Sequence, residues 1–178
     1  MRKSIVKCQL KDRDRFEQTL EREDRDLSPI YWLHDRIYTP RGYQPHVNLP
    51  RLIMRTVMHA VDESPQYLLI LRRHIEDSGL DIVEETPITD YVGTVNIIRE
   101  LGFKEAGEVS RRRQELQLAT NTTLYLDTLD NRPAPADFVK LETTLEKDAS
   151  PIAAKTSLMS LLKTLGETDI IEKPYNEL

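Results

Sequence analysis

Along much of the chain, apolar and polar residues alternate with a period of two, the signature of β-strands whose two faces meet different surroundings. Residues 4–10 put Val6, Cys8 and Leu10 on one face and Ile5, Lys7 and Gln9 on the other. Residues 122–127 set Leu124 and Leu126 against Thr123, Tyr125 and Asp127, and residues 138–145 set Val139, Leu141 and Leu145 against Lys140, Glu142 and Thr144. Residues 51–59 and 66–73 read as further strands, rich in apolar and β-branched residues. Residues 109–118 make a sixth, with Arg111, Arg113 and Glu115 sharing one face.

Three segments carry helical punctuation instead. Asp12 can cap a helix running through Phe16 and Leu20 to about residue 24. Asp90 can cap a second, with Val92, Val95, Ile98 and Leu101 at helical spacing and Gly102 beyond its end. Ser150 and Pro151 open a third, whose Ile152, Leu158, Leu161, Leu162 and Leu165 form a stripe ended by Gly166. These stripes read as packing surfaces. Proline collects in PRGYQPHVNLP at 40–50 and DNRPAPAD at 130–137, which read as loops, and Tyr31 and Trp32 read as loop anchors.

Six strands with three helices predict an α+β domain. An antiparallel sheet with one wet face ordinarily sends its charges to bulk water, and the pattern alone favours that open form. A sheet closed into a barrel would instead turn the charged face inward and press its apolar face against helices outside.

Composition narrows the classes. With 178 residues, the chain reads as a single domain spanning 1–178. Its formal charge of −5 argues against broad nucleic-acid binding, which needs a wide basic face. No apolar run approaches membrane-spanning length, and MRKSIVKCQL interleaves charge with apolar residues, unlike a signal peptide. Cys8 is the only cysteine, so no intrachain disulfide can form, and a cytoplasmic setting is expected.

The candidate chemistry lies in Lys7, Arg55, Arg72, Arg73, Arg111 and Arg113, since guanidinium groups match phosphate oxygens and alternate strand positions aim side by side. Two such charges about 5 Å apart repel by ~3 kcal/mol at an effective dielectric near 20, so convergence requires carboxylates or a bound anion. Glu85, Glu115, Asp127 and Glu142 are available. One reading is a polyanion site with acids holding a divalent metal; the other is a solvated sheet face laced by salt bridges. His34, His46, His59 and His74 lack metal-ligand spacing, Cys8 alternates onto the apolar face, and no glycine-rich phosphate loop exists.

The order of these fragments resembles the CYTH family, the triphosphate tunnel proteins that include class IV adenylate cyclases and thiamine triphosphatases. LGFKEAGEVSRRR, TLYLDTLDN and DFVKLETTL resemble its later motifs, and EKPYNEL its closing segment. IVKCQLKD resembles its opening Glu-x-Glu-x-Lys strand, with RLIMR, LLILRR and VEETPITD following in order. The resemblance implies a closed or nearly closed antiparallel β-barrel with helices packed outside, binding a triphosphate or other small polyphosphate-type anion. It implies phosphate contacts from Lys7, Arg55, Arg72 or Arg73, Arg111 and Arg113. It further implies catalytic and metal-holding roles for Glu85, Asp127 and Glu142, with Mg²⁺ or Mn²⁺ as cofactor if the protein is active.

Several positions depart from that pattern. Lys3 and Ile5 stand where the opening acids would be, Val83 and Lys140 replace two later acids, and Ile53 replaces an arginine. An isoleucine cannot ligate a hard cation and a lysine repels one. The expectation is therefore capture of a phosphate-rich anion with weak or no metal-dependent hydrolysis. An active triphosphatase or adenylate cyclase, and a non-catalytic interaction module with internally paired charges, are the alternatives.

Overall fold

A computed structural model describes residues 1–42, 50–59, 63–75, 80–130, 135–171 and Tyr175; His46, Arg132 and most of the closing EKPYNEL lie outside the described residues. The elements run β1 Arg2–Gln9, α1 Arg13–Glu21, β2 Tyr31–Pro40, β3 Arg51–Met58, β4 Gln66–Ile75, β5 Leu80–Ile88, α2 Tyr91–Glu100, β6 Phe103–Ala119, β7 Thr122–Leu129, β8 Ala136–Leu145 and α3 Pro151–Thr164. The strands form one closed antiparallel barrel in the order β1-β5-β4-β3-β2-β6-β7-β8. The open sheet favoured by pattern alone is thus corrected, and the closed barrel implied by the family resemblance is what the chain adopts.

The helices start and stop where their punctuation lies. Asp12, Asp90 and Ser150 each accept a hydrogen bond from the backbone N–H three residues on, at 3.0, 2.8 and 3.3 Å. Gly102 and Gly166, at φ +86° and +89°, take the left-handed conformation that ends α2 and α3.

Alternation decides which strand face meets those helices. Val6, Cys8, Leu124, Leu126, Val139 and Leu141 point outward, packed against Phe16 and Leu20 of α1 and Leu158 and Leu162 of α3. A second outer cluster joins Tyr38 and Met54 to Val95 and Ile98 of α2. Each large side chain so buried contributes about 1.5–3 kcal/mol.

Two strands escape the reading by alternation. Tyr31 and Trp32 begin β2 rather than anchoring a loop, and residues 80–88 form β5. Neither shows a clean apolar face: β2 carries Asp35 between Leu33 and Ile37, and β5 carries Glu84, Glu85 and Pro87. Their conformation is imposed by neighbours, with β5 held along β4 from Tyr67↔Ile88 to Ile75↔Leu80.

Candidate functional site

The faces opposite the outer core turn into the barrel. Seven strands each contribute an apolar residue to an inner cluster: Ile37, Ile53, Ile70, Val83, Val109, Leu129 and Phe138. Each lies two positions along its strand from an inward charged residue: Asp35, Arg55, Arg72, Asp81, Arg111, Asp127 and Lys140. The interior is therefore part apolar packing and part charge, as an eight-stranded barrel with little free lumen requires.

The deepest charges form two groups. Asp35 accepts from Arg55 at Oδ1 (2.7 Å) and Oδ2 (2.9 Å), and from Arg111 Nη2 at Oδ2 (2.9 Å). Asp127 accepts a two-pronged bond from Arg113, at 2.6 and 2.7 Å, and another from the Tyr175 hydroxyl at 2.9 Å. Burial opposes ionisation of both carboxyls, yet the adjacent guanidinium groups outweigh it and hold both well below the usual carboxylate range. Burial pushes the Tyr175 phenol well up, with Asp127 adding to the effect, so it remains a donor. The ring of Tyr175 lies 4.5 Å from Lys7 Nζ and 5.2 Å from the Phe138 ring. Arg111 Nε is buried and has no hydrogen-bond partner among the described residues.

A second set of charges is reached by solvent. Glu142 is held between Lys3 Nζ and Lys140 Nζ, the latter at 2.9 Å. Arg72 donates to Asp81 at 3.0 Å, with His74 beside the same carboxylate at 3.4 Å. Arg72, Lys3, Arg55 and Lys140 keep 41, 18, 18 and 15% of their side-chain surface exposed, against 4% for Arg111. The groups sense one another: Glu142 raises and Arg55 lowers the proton affinity of Arg72. Burial brings the Lys140 ammonium down to about 7, against the pull of Glu142, and its Nζ sits 4.2 Å from the Tyr125 ring.

Of the residues singled out from the sequence, Lys7, Arg55, Arg72, Arg111, Arg113, Asp127 and Glu142 turn into the barrel. Arg73 does not. It follows Arg72 by one residue, so strand alternation places it on the exposed outer face. Glu85 shares the inward parity of Asp81 and Val83 but is exposed, and its charge acts on Arg55. Asp35 and Asp81 lie where the reading by alternation finds no strand, β5 entering the sequence reading only through the likeness of VEETPITD to a family motif; the Leu33-x-Asp35-x-Ile37 spacing is the available signal for the first. Tyr175 carried no signal beyond the family-like ending.

The donor set does not fit the divalent cation that the family resemblance implies. Both oxygens of Asp127 are engaged, and Glu142 lies between two ammonium groups. A divalent ion about 4 Å from one ammonium would meet ~8 kcal/mol of repulsion at an effective dielectric near 20. Among the described residues, no three His, Cys, Asp or Glu side chains group as metal donors. A cavity of about 260 Å³ outside the barrel, lined by Arg13, Gln114, Thr128 and Asp137, offers no better site. Arg13 already donates to Glu17, Asp137, Thr128 and Gln114.

No family model and no curated protein sequence matches the chain. Solved structures do. The PH1819 protein of Pyrococcus horikoshii is 19% identical and superposes with a TM-score of 0.81, covering 97% of this chain and 95% of its own. A proposed adenylate cyclase of Vibrio parahaemolyticus is 15% identical with a TM-score of 0.78, covering 98 and 95%. A proposed adenylyl cyclase of Hippeastrum, described as having a dominant triphosphatase activity, is 15% identical with a TM-score of 0.64, covering 98 and 93%. This chain shares the fold of these structures, a closed eight-stranded antiparallel barrel. At such identities the likeness speaks for the barrel and its topology, and the function must be argued from the side chains inside it.

Proposed function

We propose that the solvent-reached end of the barrel captures a small phosphate-rich anion, of the triphosphate or nucleotide type, with weak or no phosphohydrolase activity. The observation that carries this reading is the grouping of Lys3, Arg72 and Lys140, from three different strands, around Glu142 and Asp81, with Arg55, bonded to Asp35, near enough for its charge to act on Arg72. Cations outnumber carboxylates there, they are partly desolvated, and guanidinium and ammonium donors are already oriented, the conditions under which an oxyanion is held strongly. Lys7 and Arg111, whose Nε lies 3.8 Å from Asp127 Oδ1 without a hydrogen bond, lie deeper and extend the same positive field. Arg113, bonded on both sides to Asp127, supports the wall. Weak turnover follows from the buried carboxylates Asp35, Asp81, Asp127 and Glu142: each is engaged by a cation and is poorly placed to hold metal or activate water, which of the acids implied by the resemblance leaves a single one, exposed Glu85. No helix is long and apolar enough to cross a membrane; a cytoplasmic setting, where such anions are at hand, is part of the same reading.

Calorimetric titration with tripolyphosphate, thiamine triphosphate and ATP, followed by assay for released phosphate or cyclic nucleotide, tests the proposal. Binding without turnover is expected. Rapid turnover abolished by Glu142→Gln would replace it with an active triphosphatase or cyclase. A second reading, a non-catalytic interaction module, is favoured by the pairing of Asp35, Asp81, Asp127 and Glu142 with cations of the same chain, and absence of anion binding at low salt would select it.

A further inference from the structure

We infer that Lys3 and Lys140 do the work of a divalent cation in this barrel, so that the site takes its oxyanion metal-free. The inference deepens the anion-binding reading and rests on it.

Three features combine. First, the buried inward carboxylates are engaged by side chains of the chain itself: Asp35 by Arg55 and Arg111, Asp127 by Arg113 and Tyr175, Asp81 by Arg72, and Glu142 by Lys3 and Lys140, while Glu85 on the same inward parity is exposed. A hard cation would have to displace these partners, because it binds through carboxylate and other oxygens. Second, Lys3 and Lys140 engage different oxygens of Glu142: Lys3 Nζ, from the neighbouring strand β1, bonds Oε1, and Lys140 Nζ, two residues along Glu142's own strand β8, bonds Oε2. A magnesium ion bridging Glu142 to a phosphate would occupy the space where these two ammonium groups sit. Third, both ammonium groups remain solvent-reached, as does Arg72. An ammonium has three donors and Glu142 uses only part of that capacity, so each can bond a ligand oxygen while keeping its carboxylate partner.

The chemical consequence concerns the form of the ligand. Magnesium wraps the oxygens of a di- or triphosphate and lowers its charge, and a site built from ammonium and guanidinium groups competes with the metal for those same oxygens. The barrel should therefore select a free polyphosphate over its magnesium complex.

Titrating tripolyphosphate into the wild-type protein at pH 6, where Lys140 is an ammonium, in EDTA and again in millimolar Mg²⁺ tests this. Apparent affinity should be at least about tenfold weaker with magnesium; equal or stronger binding with magnesium overturns the inference while leaving anion binding intact. No heat in either arm rejects the anion-binding reading itself. Electron paramagnetic resonance of Mn²⁺ added to the protein alone supplies a readout independent of the anion, with no bound manganese expected and a bound signal contradicting the inference. Lys3→Met/Lys140→Met should lose at least about tenfold in tripolyphosphate affinity in EDTA while keeping the far-ultraviolet circular dichroism of the barrel. Unchanged affinity in that folded variant would remove both lysines from the site.

Discussion

Two charged regions inside one barrel behave differently. Around Asp35 and Asp127, Arg111 and Arg113 are almost wholly withdrawn from water and bound by fixed bonds, with Arg55 reaching from Asp35 toward solvent; around Glu142 and Asp81, the cations are partly wet and in excess. The contrast separates charge that holds the wall from charge that is available to a ligand. A buried pair adds little net stability, since desolvation offsets the attraction, but removing one member strands the other in a low-dielectric interior. A solvent-reached cation can be removed at small cost, because water re-enters.

The largest expected effect breaks the first region. Arg113→Ala leaves Asp127 without its two-pronged partner, and urea unfolding should report a loss of about 3–5 kcal/mol. A loss below ~1 kcal/mol would place this pair in the same class as the outer cations. Next, Arg72→Ala should leave the fold intact, with His74 still beside Asp81, and weaken tripolyphosphate binding by about 1.5–3 kcal/mol in calorimetry.

The third prediction is a pH dependence. Burial brings Lys140 down to about 7 from its ordinary value of 10.5. Between about pH 7 and 10 the unfolded chain binds a proton that the folded chain has lost, so this group makes stability rise with pH across that window. Cys8, pushed up to about 11 by burial, pulls the other way at its alkaline end. The stability difference between wild type and Lys140→Met cancels that contribution and should rise with pH, by at most about 1.4 kcal/mol per pH unit. A flat difference would show a lysine that stays charged. The smallest effect is expected at Arg73→Ala, with unchanged anion affinity and stability within about 0.5 kcal/mol, sharpening the distinction from Arg72 next to it.

Much of this architecture is legible in local pattern. The caps at Asp12, Asp90 and Ser150 and the stops at Gly102 and Gly166 each depend on a few neighbouring residues, and all lie at helix ends. The strands β1, β7 and β8 alternate cleanly because one face meets helices and the other the barrel interior. β2 and β5 escape the same reading because their inward residues mix Asp35 with Ile37, and Asp81 with Val83 and Glu85. Inside a barrel that is half apolar and half charged, such mixing is the correct pattern, but it erases the contrast on which alternation relies. The acidic partners of Arg55 and Arg72 lie on those two strands, so the pairing that neutralises the interior was hidden with them.

Residue order by itself determined which face of each clean strand is apolar, where the helices begin and end, and that basic side chains recur at alternate positions. Tertiary structure decided that the sheet closes, that Arg72 rather than Arg73 turns inward, and that Tyr175 reaches Asp127 from the far end of the chain. The physical reason is range. Period and capping are set by steric and hydrogen-bond geometry within a turn or two of chain, whereas closure and ion pairing join residues far apart in sequence, whose meeting depends on the register of every strand between them.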